Sequence, residues 1–174
     1  GLRNFARLDE ATFQTADIDE GIRQTLMILR EPARDANVTL TMDLALERPH
    51  PCFPAKLNQV VLNLVNNAID ACSSGGRVTV RSRELGESVE IAVIDDGHGI
   101  SSEHMSKIFD PFFTTKPVGK GTGLGLSISY RIIREHNGTI HVEPSRGGGT
   151  TFRISLPAEL ESPEGEDEPA PARA

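Results

Sequence analysis

Only two cysteines occur in the 174 residues, Cys52 and Cys72, and their separation matches no metal-ligand spacing. They read as idle thiols in a reducing cytoplasm rather than as a zinc site or a redox switch. Long hydrophobic runs are missing as well. No stretch of roughly 18 apolar residues exists to span a bilayer, and the N-terminus lacks the basic-then-apolar pattern of a secretory signal. Positive charge is also scarce: the net charge is -7. Residues 158–174 carry six acidic residues against Arg173 alone, so the rest of the chain is close to neutral. Without a broad basic face, nucleic acid is not a primary partner. No internal repeat is present. At 37% hydrophobic and 25% charged residues, the composition is that of one globular domain with one core. The acidic, proline-bearing tail at 158–174 has too few apolar groups to offset its ordering entropy and is predicted to be disordered.

Hydrophobic spacing supplies the elements. Leu2, Phe5 and Leu8 predict the end of a helix over residues 1–14 whose start lies upstream. Ile18, Ile22, Leu26 and Leu29 predict an amphipathic helix capped by Asp17 or Asp19 and closing around Asn37. Alternation from Val38 to Leu44 predicts a strand, followed by a turn at Pro49, Pro51 and Pro54. Leu57, Val60, Val61, Leu64, Ala68 and Cys72 share one side of a helix over about residues 55–73, which Gly75-Gly76 ends. Strands are predicted at 78–80 and 89–93 about a turn at Gly86, then a short helix near 103–108 and an irregular segment over 110–123. A helix over 124–136 and strands at 139–142 and 150–156 complete the pattern. This order predicts a mixed sheet covered on one face by helices, not a parallel doubly wound fold.

Four blocks stand out from that pattern. Asn63, Asn67 and Asp70 fall at i, i+4 and i+7, on one helix face. Amide oxygens there suit a hard cation already carrying phosphate oxygens and water; a solvated helix face is the plainer alternative. Asp95-Asp96-Gly97-His98-Gly99 follows a strand, where a carboxylate accepts from an exocyclic amine such as adenine's and glycines let backbone approach a ring; otherwise it is an ordinary turn. Phe109, Phe112 and Phe113 cluster just before a glycine loop, as in a lid with docking anchors or a core cluster under a loop. Gly119-Lys120-Gly121-Thr122-Gly123-Leu124-Gly125-Leu126 opens a helix, which turns backbone N–H groups and the positive dipole end toward an anion. Its spacing is not that of a P-loop. Lys116 and Lys120 flank it, either to neutralise phosphates or as solvated lysines.

Taken together and in this order, the blocks resemble the N, G1, F and G2 boxes of the catalytic ATP-binding domain of sensor histidine kinases, within the GHKL or Bergerat-fold superfamily. Gln59 to Ala68, Asp95 to Ile100, Phe109 to Lys116 and Gly121 to Leu126 carry that resemblance. Asn67-Ala68-Ile69-Asp70-Ala71 and Thr114-Thr115-Lys116-Pro117 look like the nitrogen-regulation and dicarboxylate-sensor subgroup. The family implies an α/β (α+β) two-layer sandwich: a mixed, mainly antiparallel sheet packed on one face by about three helices, with a flexible ATP lid. It implies residues 1–14 as the end of a dimerisation and phosphotransfer helix, 15–157 as the catalytic domain and 158–174 as a tail.

Carried over by position, Asn67 would coordinate Mg²⁺, Asn63 would support the phosphates and Asp95 would bind the adenine amine. Gly97 and Gly99 would shape the adenine pocket, and Gly121, Gly123 and Gly125 would serve phosphates and lid. Asn63, Asn67, Lys116 and Lys120 would carry catalysis. The implied ATP site also takes in Asp70, Ile100, Phe109, Thr114, Thr115, Thr122, Leu124, Leu126 and Thr150. The reaction implied is transfer of the γ-phosphoryl group of MgATP to a histidine, by positioning and charge stabilisation.

None of His50, His98, His104, His136 or His141 fits the family's phosphoacceptor, a helical histidine followed by an acid. The acceptor is therefore expected on a separate dimerisation domain, and self-phosphorylation is not expected of this chain. The resemblance further implies a response regulator receiver domain as partner, a cytoplasmic location, whether free or as the cytoplasmic part of an inner-membrane sensor, a monomer for the isolated domain and a homodimer for the whole protein. It implies neither nucleic acid nor direct membrane contact. Three alternatives stay open. ATP-hydrolysing clamps of the gyrase, MutL and heat-shock chaperone type resemble one another in carrying a Glu where Asn63 stands; a regulatory module would bind ATP and transfer nothing; and an anti-sigma-factor kinase would phosphorylate serine.

Overall fold

The computed structural model describes residues 12–116 and 123–159. Of the helix end predicted at 1–14, residues 1–11 lie outside them, as do residues 160–174 of the tail predicted at 158–174. Helix α1 (Ile18–Ile28) starts where predicted: Asp17 Oδ1 accepts from the Glu20 N–H at 3.0 Å. Buried Asp19 ties it down, accepting from Ser82 Oγ at 2.6 Å and from the Leu46 N–H at 2.9 Å. The single helix expected up to Asn37 is two, because the chain turns at Leu29 before α2 (Arg30–Asp35). Pro32 has no N–H to offer the carbonyl one turn earlier, so the ladder breaks there. Asn37 closes α2 with φ 53.

Strand β2 (Thr39–Leu44) follows, and then a strand the sequence reading missed. Gln14, read as the last residue of a helix end, instead opens β1 (Gln14–Ala16), and the proline turn holds β3 (His50–Cys52); the two pair antiparallel with Thr15 opposite Pro51. Three residues show too little alternation to reveal a strand, and Pro51 masks this one further. Helix α3 (Pro54–Ala71) opens with Pro54 at its first position and stops two residues short of the predicted Ser73. It buries Leu57, Val60, Val61, Leu64, Val65, Ala68 and Ile69. Beyond it come β4 (Arg77–Leu85), β5 (Ser88–Asp95), α4 (Ser102–Met105), α5 (Gly125–Glu135), β6 (Thr139–Pro144) and β7 (Thr150–Pro157).

Five strands pair in the order β2-β4-β5-β7-β6, with β2 and β4 parallel and the other pairs antiparallel. One face carries Val78, Val80, Ile91, Val93, Ile140, Phe152, Ile154 and Leu156 into the core beneath the helices. The other is laced with ion pairs: Asp43 meets Arg81 and Arg83, and Arg153 bridges Glu90 and Glu143. Charge on that face agrees with a solvated surface, which makes the two-layer arrangement the expected one.

The end of α5 is locked to the start of α3 by His136, which is fully buried. Its Nδ1–H donates to the Ile132 carbonyl at 2.8 Å and its Nε2 accepts the Phe53 N–H at 3.0 Å. That pairing requires the neutral ring, and burial pushes its pKa below the ordinary value of 6.5. Because the unfolded chain takes up this proton first, stability is complete above the unfolded value and is lost as pH falls through it toward the folded one. Urea unfolding midpoints are expected to drop from pH 7 to pH 5, and to drop less in His136→Gln, whose amide oxygen accepts from Phe53 without titrating. Protonation leaves the Phe53 N–H without an acceptor, a loss on the order of 1–3 kcal/mol. Equal drops in the two proteins would remove His136 as the cause.

Candidate functional site

Asp95 is the last residue of β5 and continues the inward row of Val89, Ile91 and Val93. Strand alternation therefore points a carboxylate into the helical side of the sheet at its open end, where it is 3% exposed. Its Oδ1 accepts the Gly97 N–H at 2.9 Å and the Thr150 N–H at 3.2 Å. Oδ2 has no hydrogen-bond partner among the described residues, none of which holds a fully buried side-chain polar atom left unpaired, so Oδ2 keeps access to solvent. Burial raises the Asp95 pKa, and the two backbone N–H groups restrain the rise. A charge kept in that setting is poised for a ligand's N–H.

Glycines shape the wall around it. A Cβ on Gly97 would collide with the Ala71 carbonyl, because the loop leaving β5 lies against the end of α3, where the His98 N–H donates to that same carbonyl at 3.0 Å. Gly149, at φ +93, sits so close that a Cβ would enter the Asp95 carbonyl. Gly149 was not among the predicted site residues. The signal available was the run Gly147-Gly148-Gly149 ahead of β7. Thr150, which was predicted, is buried beside Asp95. Neighbouring Asp96 turns away to clip the start of β4, its Oδ1 accepting from the Arg77 N–H at 2.8 Å.

Helix α3 supplies the facing side. Asn63 is half-buried, and its Nδ2 donates to the Gly125 carbonyl at 3.3 Å and to Ser129 Oγ at 3.5 Å, joining α3 to the first turn of α5. Asn67 lies one turn on, half-buried, with its amide unpartnered among the described residues. Asp70 is exposed and engaged: its Oδ2 meets Lys116 Nζ at 2.6 Å. The Lys116 N–H in turn donates to Thr114 Oγ1 at 3.1 Å. Thr115 is exposed beside them.

The aromatic segment divides. Phe109 packs into the core against Phe152 and Tyr130, with ring centroids 6.4 and 5.5 Å away, so the core-cluster alternative describes it. Ile100 and Leu126 pack against the same core. Phe112 is 71% exposed at φ 66, and its backbone lies so near Gly123 that a Cβ there would strike it. Leu124 then leads into α5 as its N-cap residue. Gly99, at φ +75, faces the Gly149 carbonyl. The strand-end carboxylate, the amide helix, the aromatic segment and the start of α5 are thus neighbours. Lys120, Gly121 and Thr122 lie outside the described residues.

Among the described residues no group of three His, Cys, Asp or Glu side chains is gathered to hold a metal. The amide of Asn67 is instead the kind of ligand that completes the shell of a Mg²⁺ ion held mainly by phosphates and water. No helix of the described residues is long and apolar enough to cross a membrane. Of the histidines, His50 is buried between Glu84 and the Ala158 carbonyl, His98 lies in the glycine loop, and His104 stacks edge-on against Phe113.

Residues 53–160 match the family described as histidine kinase-, DNA gyrase B-, and HSP90-like ATPase. Sporulation kinase E of Bacillus subtilis is 37% identical over 147 residues, which are 83% of this chain and 20% of that protein. The chain thus spans about a fifth of that relative's length. Among solved structures, the catalytic domain of histidine kinase ThkA superposes with a TM-score of 0.78 at 33% identity, covering 85% of this chain and 97% of that one. ThkA in complex with the response regulator protein TrrA gives a TM-score of 0.72 at 32% identity, covering 84% of this chain and 42% of that one.

Proposed function

Since the chain belongs to the histidine kinase-, DNA gyrase B- and HSP90-like ATPases, and among them to the catalytic domains of histidine kinases, we propose that it binds MgATP beside Asp95 and donates the γ-phosphoryl group to a histidine on a separate dimerisation domain. The observation that carries this reading is the buried Asp95 carboxylate, one oxygen clamped by two backbone N–H groups and the other without a partner among the described residues. Oδ2 would accept from the exocyclic amine of adenine, with Gly97, Gly99 and Gly149 leaving room for the ring. The α3 face and the first turn of α5 would meet the phosphates, with Asn67 as the metal ligand and Lys116 as a neutralising cation. Mg²⁺, when bound, would supply the charge neutralisation that phosphoryl transfer demands.

Asn63 favours transfer over hydrolysis. It is an amide already donating to Gly125 and Ser129, and it cannot take a proton from water. The phosphoryl group is thereby kept for a protein acceptor, and the domain contributes chiefly position and charge. We assign residues 15–157 to this domain. The complex of ThkA with a response regulator supports a receiver domain as the onward acceptor here. A requirement for ATP would put the domain in the cytoplasm, and the acceptor domain would make the whole protein a dimer.

The test mixes the chain with γ-labelled ATP, Mg²⁺ and separately produced helical hairpins bearing a histidine followed by an acidic residue. Label is expected on the histidine of a hairpin, and a chelator is expected to abolish it. In the same assay Asn63→Glu is expected to raise free phosphate by about tenfold or more, since a positioned general base is worth about 10²–10⁴ in rate. ATP binding without label on any hairpin would leave a regulatory binding module, and an unchanged release of phosphate would end the argument from Asn63.

A further inference from the structure

Lys116 and Asp70 are far apart in sequence and in different elements, yet their charged atoms lie 2.6 Å apart. Asp70 stands on the same α3 face as Asn63 and Asn67, less than one turn beyond Asn67. Lys116 belongs to the segment that reaches across from α4, and Thr114 Oγ1 holds its backbone N–H at 3.1 Å. Both side chains are well exposed, 32% for Lys116 and 46% for Asp70. An ion pair so open to water adds little to fold stability, so its consequence is where it leaves the ammonium. A lysine on an exposed segment otherwise samples many rotamers, and ordering it at the moment of binding costs affinity.

We propose that Asp70 is a positioning residue: it anchors Lys116 at the Asn67 end of α3 and so presents the ammonium to the phosphates of the bound nucleotide. This assignment rests on the nucleotide reading above and gives Asp70 a part that requires no contact with ATP. It has a specific electrostatic signature. A carboxylate beside phosphates repels them unless a cation is paired with it, so the sign of the Asp70 effect depends on Lys116. With the lysine present, removing the carboxylate loses the anchor. With the lysine gone, removing the carboxylate relieves repulsion.

The experiment measures ATP affinity by calorimetric titration for the 174-residue chain and for Asp70→Asn, Lys116→Met and the double variant. Asp70→Asn is expected to weaken binding about three- to fivefold alone, and to strengthen it by a similar factor in the Lys116→Met background. Asp70→Glu keeps the charge and is expected to hold affinity within about twofold. Urea midpoints should be alike in every variant, since the pair is exposed. An Asp70→Asn effect of the same sign and size in both backgrounds overturns the assignment while leaving ATP binding in place. Failure of the unsubstituted chain to bind ATP overturns the nucleotide reading and this assignment with it.

Discussion

Asp95→Asn is expected to weaken ATP binding by about ten- to a hundredfold while raising the unfolding midpoint of the ligand-free domain at pH 7. Both effects follow from the same burial. A hydrogen bond to a charged group contributes about 1.5–3 kcal/mol, which sets the loss of affinity. The asparagine amide would also turn N–H groups toward a ligand amine that needs an acceptor. The fold keeps its partner, because the Asn carbonyl oxygen can take over the N–H groups of Gly97 and Thr150 that Oδ1 now accepts.

The sign of the stability change comes from linkage. Burial raises the Asp95 pKa in the folded state, so the folded chain holds this proton more tightly than the unfolded chain does. The stabilisation that accompanies protonation is fully present below the unfolded pKa and is lost as pH rises through the folded one. At pH 7 the ionised group therefore works against folding, and a neutral isostere relieves that cost. Calorimetric titration with ATP, together with urea unfolding with and without nucleotide, checks both halves. Undiminished affinity would remove the carboxylate from the nucleotide site.

The second large effect belongs to the backbone. Gly149→Ala is expected to destabilise the domain by about 2–5 kcal/mol and to weaken ATP binding along with it. Two costs add here: φ +93 is a conformation that an L side chain resists, and the new Cβ would enter the Asp95 carbonyl. Gly147 separates them. It has φ +81 with nothing within 4 Å of its virtual Cβ, so Gly147→Ala meets only the conformational cost of about 1–2 kcal/mol. Urea unfolding of the two variants side by side measures the difference. Equal losses would mean that the Gly149 wall is not closed against Asp95.

Those glycines also mark where sequence reasoning ran short. Asp95 was legible because a carboxylate at the end of an alternating strand is a local pattern, and Asn63, Asn67 and Asp70 were legible because helical spacing puts them on one face. Gly149 was not, since its meaning depends on β7 lying beside β5, a pairing between residues more than fifty positions apart. Phe109 read equally well as a lid anchor or as core, and only its packing on Phe152 and Tyr130 separates the two. The strands β1 and β3 were invisible because three residues and a proline carry no usable periodicity.

From residue order alone came the helix faces, the long strands, the glycine-rich turns and the family they compose, because each rests on contacts between near neighbours in the chain. Tertiary structure decided the rest: that one Asp95 oxygen is spoken for while the other is left without a partner among the described residues, that Asn63 reaches α5, and that Lys116 is held by Asp70. Those facts are distances between elements that folding brings together, and hydrophobic spacing within an element carries no record of the polar partner that will arrive from another.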